Sequence, residues 1–423
     1  MTIKYTVALN TFWQIVARGI SALTTFIITI IIGRRFGSVG LGDFVKITTY
    51  LAFFYLISDF GLNAVYLQKY ISGKEDVSDG TWKSLFFLRV LMSTFLMLFA
   101  IVILTIFPHG TTQGYTTLAR FGILLFTPTI FLQALITSAN VLFQKYLRYD
   151  LSALSGITGS LVSLVLIISF PRALDRSTGV TVAIASLLLG SFATTGIALL
   201  LTKKLYQKGP HPPIVSSMKS LFITSIPLGI TLIFNLIYFR VDSIILTLTR
   251  STTEVGVYGL AYKIFEVFLV LPTFVMNSIY PIMLRETNAK RNRESRSIVF
   301  RSLMFLFISS IIVLLTLWYV APLITRIKND FNSGIELLRI LALGIPFFFL
   351  SSLTMWMLIA RKQQIILMFI YGISMMINII LNIMFIPTYG TTAAAWITVI
   401  SEGIVLIMSG FVVWRLVIKD NRE

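Results

Sequence analysis

The chain has 423 residues, of which 56% are hydrophobic and only 12% charged, and its formal net charge is +18. Soluble proteins carry about 25% charged residues, so this much apolar side chain excludes a single water-facing core and calls for lipid as the solvent. With no cysteine and only His109 and His211, disulfides, thiolate metal sites and a histidine-based metal site are excluded, and no cofactor is expected.

Taken in order, the apolar runs predict membrane-spanning helices at 10–33, 43–66, 84–107, 118–140, 152–170, 179–202, 220–249, 255–284, 301–321, 335–360, 364–386 and 391–414. Each is close to the roughly 20 residues a bilayer crossing needs. The first holds Arg18 and runs into GRRFGSVG (33–40), not into a small-residue cleavage site, so it reads as a retained helix. The second contains Asp59 near its inner end. Lys46, Arg89, Arg120 and Arg339 fall at predicted helix ends, where long side chains can snorkel to the interface. The seventh run carries LIYFRVDSIIL (236–246), with Arg240 and Asp242 inside an otherwise apolar stretch. The eighth carries Lys263 and Glu266, and the twelfth Glu402. Pro128, Pro227, Pro272 and Pro346 are predicted inside helices, as kinks or as bends that help the molecule rock. Run length and the lack of strict alternation argue against a barrel, and open sheet is not tolerated in lipid. The expected class is all-α integral membrane.

Lys and Arg in the connections set the orientation. With the N-terminus inside, inner segments hold 21 and outer loops 7, so both termini are predicted cytoplasmic. RNRESR (291–296) reads as a cytoplasmic anchor rather than a nucleic-acid patch, and no nucleic-acid partner is expected. The longest connections are about 17 residues, too short for a soluble catalytic domain. GSVGLG (37–42) lacks the GK[ST] of a phosphate-binding loop, so no nucleotide site follows.

FGSVGLGDFVKITTY (36–50) and RSTTEVGVYGLAYKI (250–264) align at an offset of 214, placing Gly42 on Gly256 and Phe44 on Tyr258. Pro128 matches Pro346, Lys145 falls beside Lys362, and SFPRALDRSTGVTVA (169–183) matches MFIPTYGTTAAAW (384–396). This predicts a parallel repeat of six helices: a first lobe over 1–202, a proline-rich linker over 203–219 and a second lobe over 220–423. Transporters built from such repeats bind substrate between them.

These features, with RRFGSVGLGDF (34–44), SDFGLN (58–63), TTEVGVYGLAYKI (252–264) and the basic loop after the eighth helix, resemble the polysaccharide-transport oligosaccharide flippases. Their superfamily, the multidrug/oligosaccharidyl-lipid/polysaccharide exporters, also contains multidrug and toxin extruders (MATE) and lipid II flippases. The resemblance implies a MATE-like fold of twelve transmembrane helices in two lobes around a central cavity. It implies transfer of an undecaprenyl-diphosphate-linked oligosaccharide, such as an O-antigen repeat unit, across the cell inner membrane. It further implies membrane lipid, a polysaccharide polymerase and chain-length proteins as partners.

An Arg or Asp at a helix centre costs roughly 2.5–3.5 kcal/mol on an insertion scale, so Arg240 and Asp242 together cost on the order of 5–7 kcal/mol. Being two apart they point to different sides of the helix, and each needs water or a partner. Arg18, Arg240 and Lys263 are the deep cations, suited to line the path of a diphosphate, because Arg holds phosphate oxygens with two bonds and keeps its proton. Asp59, Asp242, Glu266 and Glu402 are candidates for coupling-ion sites or for ion pairing. The structural alternative is that these charges only pair with one another. A cation-coupled drug extruder of the same superfamily is the competing function. It should carry acidic residues deep in the first half, where Arg18 and Asp59 are the deep charges. A membrane glycosyltransferase or polymerase would need a larger outer loop than any here.

Overall fold

The computed structural model describes residues 3–72, 79–171, 173–205, 215–276, 279–280 and 292–419. Linker residues 206–214, with His211, lie outside them, as do Lys74, Arg172, Arg285, Lys290, Arg291 of the RNRESR loop and the last four residues.

The described residues are helical, without a strand, and contain one isolated bridge between His109 and Tyr115. The first half comprises α1 (Ile3–Asp59), α2 (Leu62–Ser72), α3 (Asp79–Ile106), α4 (Thr117–Phe126), α5 (Pro128–Lys145), α6 (Tyr149–Ser169) and α7 (Arg176–Leu205). Then come α8 (Val215–Thr249), α9 (Thr252–Phe268), α10 (Asn292–Val320), α11 (Gly334–Leu343), α12 (Ile345–Ala360) and α13 (Gln364–Lys419).

Among the described residues, 10 segments are long and apolar enough to cross a bilayer. Two of them, Leu9–Lys69 and Gln364–Leu416, far exceed the roughly 20 residues of one crossing. Each bends at a glycine, Gly37 (φ 73°, ψ −170°) in α1 and Gly390 (φ 62°, ψ −139°) in α13. These left-handed φ values favour glycine because a Cβ would clash with the backbone. Counted as two crossings each, they give the twelve read from the sequence. The protein is a multi-pass membrane protein.

By packing, the chain forms two compact units, Met1–Leu236 and Ile237–Glu423. In the first, α1 packs on α4, α6 and α7, and α5 packs on α3 and α7. The α6–α7 contact is backbone-close. A Cβ at Gly159 would lie 1.7 Å from Thr194 Oγ1, and one at Gly190 would lie 1.9 Å from Ser163 Oγ. Each helix therefore presents two small residues one turn apart, Gly159 with Ser163 and Gly190 with Thr194, the pattern that lets helices approach in lipid. The first stretch of α8 belongs to this unit. Leu221 is buried with Leu62, Tyr66, Leu85 and Val141, Phe222 stacks on Phe60 at 5.6 Å, and Ser220 accepts from Lys69 at 2.7 Å. In the second unit α9 packs on α11 and α13, and α12 packs on α10 and α13.

The two halves repeat local devices. Pro128 and Pro346 each open a new helix after a break, instead of lying inside one. Proline lacks an N–H and suits the first turn, where that donor has no partner. Pro227 does lie inside α8, and Pro272 follows a turn at Leu269. Helix α5 ends at Leu147 (φ 53°) with Arg148 N–H returning to Phe143 O at 2.7 Å. Helix α12 ends at Lys362 (φ 59°) with Gln363 N–H returning to Leu358 O at 2.8 Å. Both are six-to-one closures with a left-handed cap. Phe36 lies against Gly179, and Arg250 with Glu254 lies against Gly390, so matching slots are filled with different chemistry.

Lys46 and Arg89 do not snorkel. Both are fully buried, and Lys46 Nζ donates to Gly114 O at 2.7 Å. Hydropathy places a span boundary at a charge, whereas the helices begin earlier, after Gly37 and at Asp79. That leaves Lys46 and Arg89 well inside. Arg120 donates to Phe107 O at 2.5 Å, and the Arg339 guanidinium lies 5.3 Å from the Trp318 ring centroid.

Candidate functional site

The second unit holds five of the seven candidate charges read from the sequence: Arg240, Asp242, Lys263, Glu266 and Glu402. On α8, Tyr238 and Asp242 are one turn apart and share a face, while Arg240 points elsewhere. On α9, Lys263 and Glu266 are three apart and also share a face. Arg240 Nη2 meets Glu266 Oε1 at 2.9 Å, and Lys263 Nζ meets Glu266 Oε2 at 2.9 Å. The three side chains are 30%, 32% and 27% exposed for Arg240, Glu266 and Lys263. They are neither sealed in a core nor free on a surface. The triad carries one net positive charge. The Arg240 guanidinium also lies 5.9 Å from the Tyr262 ring centroid, within cation–π range.

Asp242 and Glu402 are a different pair. Both are buried, and among the described residues neither has an ion-pair partner. Tyr258 donates its hydroxyl to Asp242 Oδ2, and the Ser243 backbone N–H donates to Asp242 Oδ1 at 2.6 Å. Glu402 accepts from the Tyr238 hydroxyl at 2.8 Å and from the Ser351 hydroxyl. On α13, Ser401, the residue before Glu402, accepts from Asn378 at 3.0 Å, and Asn382 donates to Asn378 Oδ1 at 2.9 Å. A buried carboxylate held by neutral donors can take up a proton or a small cation in place of a basic side chain. Among the described residues no three His, Asp or Glu side chains converge.

The first unit holds the remaining two candidates. Asp59 Oδ1 pairs with Arg89 Nη2 at 2.8 Å, and Arg89 Nη1 donates to Asn63 Oδ1 at 2.8 Å. Arg18 lies exposed on α1 and makes no ion pair among the described residues. The structure therefore brings together Arg240, Lys263 and Glu266, and ties Asp59 to Arg89. Sequence reasoning missed Arg89, Tyr258, Tyr238, Ser351, Asn378 and Asn382. Asn378 and Asn382, one turn apart in an apolar run, were a usable signal. The tyrosines carried none, since a lone tyrosine in a membrane helix does not reveal its partner.

A family model described as polysaccharide biosynthesis protein matches residues 7–287, and the MatE model matches residues 227–384. The lipid II flippase MurJ, solved in an inward closed conformation, is similar with 18% identity and a TM-score of 0.76, covering 95% of this chain and 87% of that one. A multidrug resistance MATE family transporter of the MOP superfamily, inward-facing, is similar with 13% identity and a TM-score of 0.75, covering 96% and 99%. A MOP superfamily transporter from Pyrococcus furiosus is 13% identical with a TM-score of 0.67, covering 98% and 96%. No curated protein matches the chain. At these identities the solved structures share the fold, and the family model covers well over half of the sequence. The chain belongs to the polysaccharide biosynthesis protein family and has the all-α, multi-pass membrane fold of the MOP-superfamily transporters and flippases.

Proposed function

We propose that the protein flips an undecaprenyl-diphosphate-linked oligosaccharide repeat unit, of O-antigen or a similar surface polysaccharide, from the inner to the outer leaflet of the cell inner membrane. Both termini are cytoplasmic, residues 1–202 and 220–423 act as two lobes joined by the 203–219 linker, and no covalent step is involved. The observation that carries this reading is the Arg240–Glu266–Lys263 triad, partly exposed on two long apolar segments, α8 and α9. Charged groups inside a membrane persist where they serve a route for charge. A diphosphate cannot cross hydrocarbon bare, and arginine supplies the two-pronged contact that phosphate oxygens favour. Arg18, exposed on α1, is proposed as a further cation for the diphosphate. A polysaccharide polymerase and chain-length proteins are the partners that would receive the product.

Of the four carboxylate candidates for ion coupling, Asp59 and Glu266 are engaged by cations. That favours Asp242 and Glu402 as the groups that load and release a coupling ion. The same two residues, with the MatE match over residues 227–384, support the second reading, a cation-coupled extruder of organic cations. The test is deletion of the gene. Loss of surface polysaccharide with accumulation of lipid-linked repeat units inside supports the flippase. Intact polysaccharide with increased drug sensitivity supports the extruder.

A further inference from the structure

Glu266 is a shared acceptor, with Oε1 facing Arg240 and Oε2 facing Lys263. Two cations gripping two oxygens on one central atom is also how a phosphate group is held, with O–P–O in place of O–C–O. We propose that Glu266 is a built-in stand-in for the substrate's diphosphate: it keeps Arg240 and Lys263 paired while no substrate is bound and is displaced when the diphosphate takes its place. This rests on the reading of Arg240 and Lys263 as the phosphate-binding cations.

Displacement is feasible here for three reasons. A deep cation without a counter-charge is expensive, so an unliganded pair needs a carboxylate. The Glu266 side chain is 32% exposed, so protein does not seal it in place and it has room to move aside. Asp242 cannot serve as the substitute, because it is buried and its oxygens already accept from Tyr258 and Ser243. The groups facing Glu266 are Arg240 from α8 and Lys263 from α9. Competition from Glu266 weakens binding, and a translocator needs that weakness because its ligand must also leave.

The experiment measures binding of farnesyl diphosphate, with farnesol as the uncharged control, to the purified full-length protein in detergent by calorimetry. Glu266→Gln removes the competing charge and should bind farnesyl diphosphate about tenfold tighter, the scale of losing one charged competitor. Glu266→Asp is one methylene shorter and reaches the two cations less well, so it should also bind more tightly than wild type. Should the glutamine variant fail to fold, the aspartate variant decides. Farnesol binding should be unchanged throughout. Equal or weaker farnesyl diphosphate binding in the Glu266 variants, or equal tightening for farnesol, overturns the proposal. Arg240→Ala and Lys263→Ala separate the two levels. If both bind farnesyl diphosphate as wild type does, the phosphate-binding reading itself fails. If both lose binding while the Glu266 variants do not tighten, only the stand-in role fails.

Discussion

Arg240 on α8 reaches Glu266 on α9 at 2.9 Å, and Glu266 keeps a second cation, Lys263, at the same distance on its other oxygen. This arrangement separates two roles for Arg240 that are otherwise hard to tell apart. If Arg240 were only the counter-charge of a buried acid, its removal would strand an anion and destabilise the fold. Because Lys263 remains on Glu266, removing Arg240 leaves no bare carboxylate. Loss of function without loss of protein is then the expected signature.

Arg89 should behave in the opposite way. It is fully buried, whereas Asp59 is 31% exposed. Arg89→Ala takes away both the partner of Asp59 and the donor to Asn63, and leaves a cavity the size of a long side chain. The expected destabilisation is about 3 kcal/mol, the lower end for breaking a buried pair. It would appear as reduced protein in the membrane and a lower melting temperature in detergent. Wild-type abundance of this variant would show that the pair contributes little.

Asp242→Asn and Glu402→Gln each keep one acceptor oxygen, for Tyr258 in the first and for either Tyr238 or Ser351 in the second, while removing the charge. Insertion should be as good or better, since a costly charge is gone. If these groups carry the coupling ion, transport in proteoliposomes should lose its response to an imposed proton or sodium gradient. A full gradient response in both variants would remove them as coupling residues.

Topology can be checked with reporter tags. Tags at Gly110, between α3 and α4, and at Asn332, just before α11, should report the outside. Tags at Pro210, Ala289 and Glu423, which lie outside the described residues, should report the cytoplasm. One tag on the opposite side would break the count of twelve crossings.

The extent to which the sequence disclosed this depends on the kind of signal. Crossings were legible because lipid demands long apolar runs, whereas Pro128 and Pro346, read as lying inside helices, each stand in the first turn of a new one. Gly37 and Gly390 were visible only as glycines. That each bends a helix continuous on both sides depends on what packs there, such as Arg250 and Glu254 against Gly390. Arg240, Lys263 and Glu266 stood out as charges where charge is costly, and the spacing of Lys263 and Glu266 foretold their shared face. The Asp59–Arg89 pair was not legible. Arg89 was assigned to a helix end, and its partner is 30 residues away in sequence. The tyrosines on Asp242 and Glu402 were hidden because their hydroxyls acquire a role only when α8, α9, α12 and α13 pack together.

The most direct test reconstitutes the protein in liposomes and follows movement of a lipid-linked oligosaccharide diphosphate between leaflets, with membrane protein level measured in parallel, for Arg18→Ala, Arg240→Ala, Lys263→Ala and Arg240→Lys. The expected result is normal abundance with flipping abolished in Arg240→Ala and strongly reduced in the other two alanine variants. Arg240→Lys should be partly active, because a point charge keeps the attraction but loses the two-pronged contact. Near-normal flipping in all three alanine variants would contradict a diphosphate route lined by these cations.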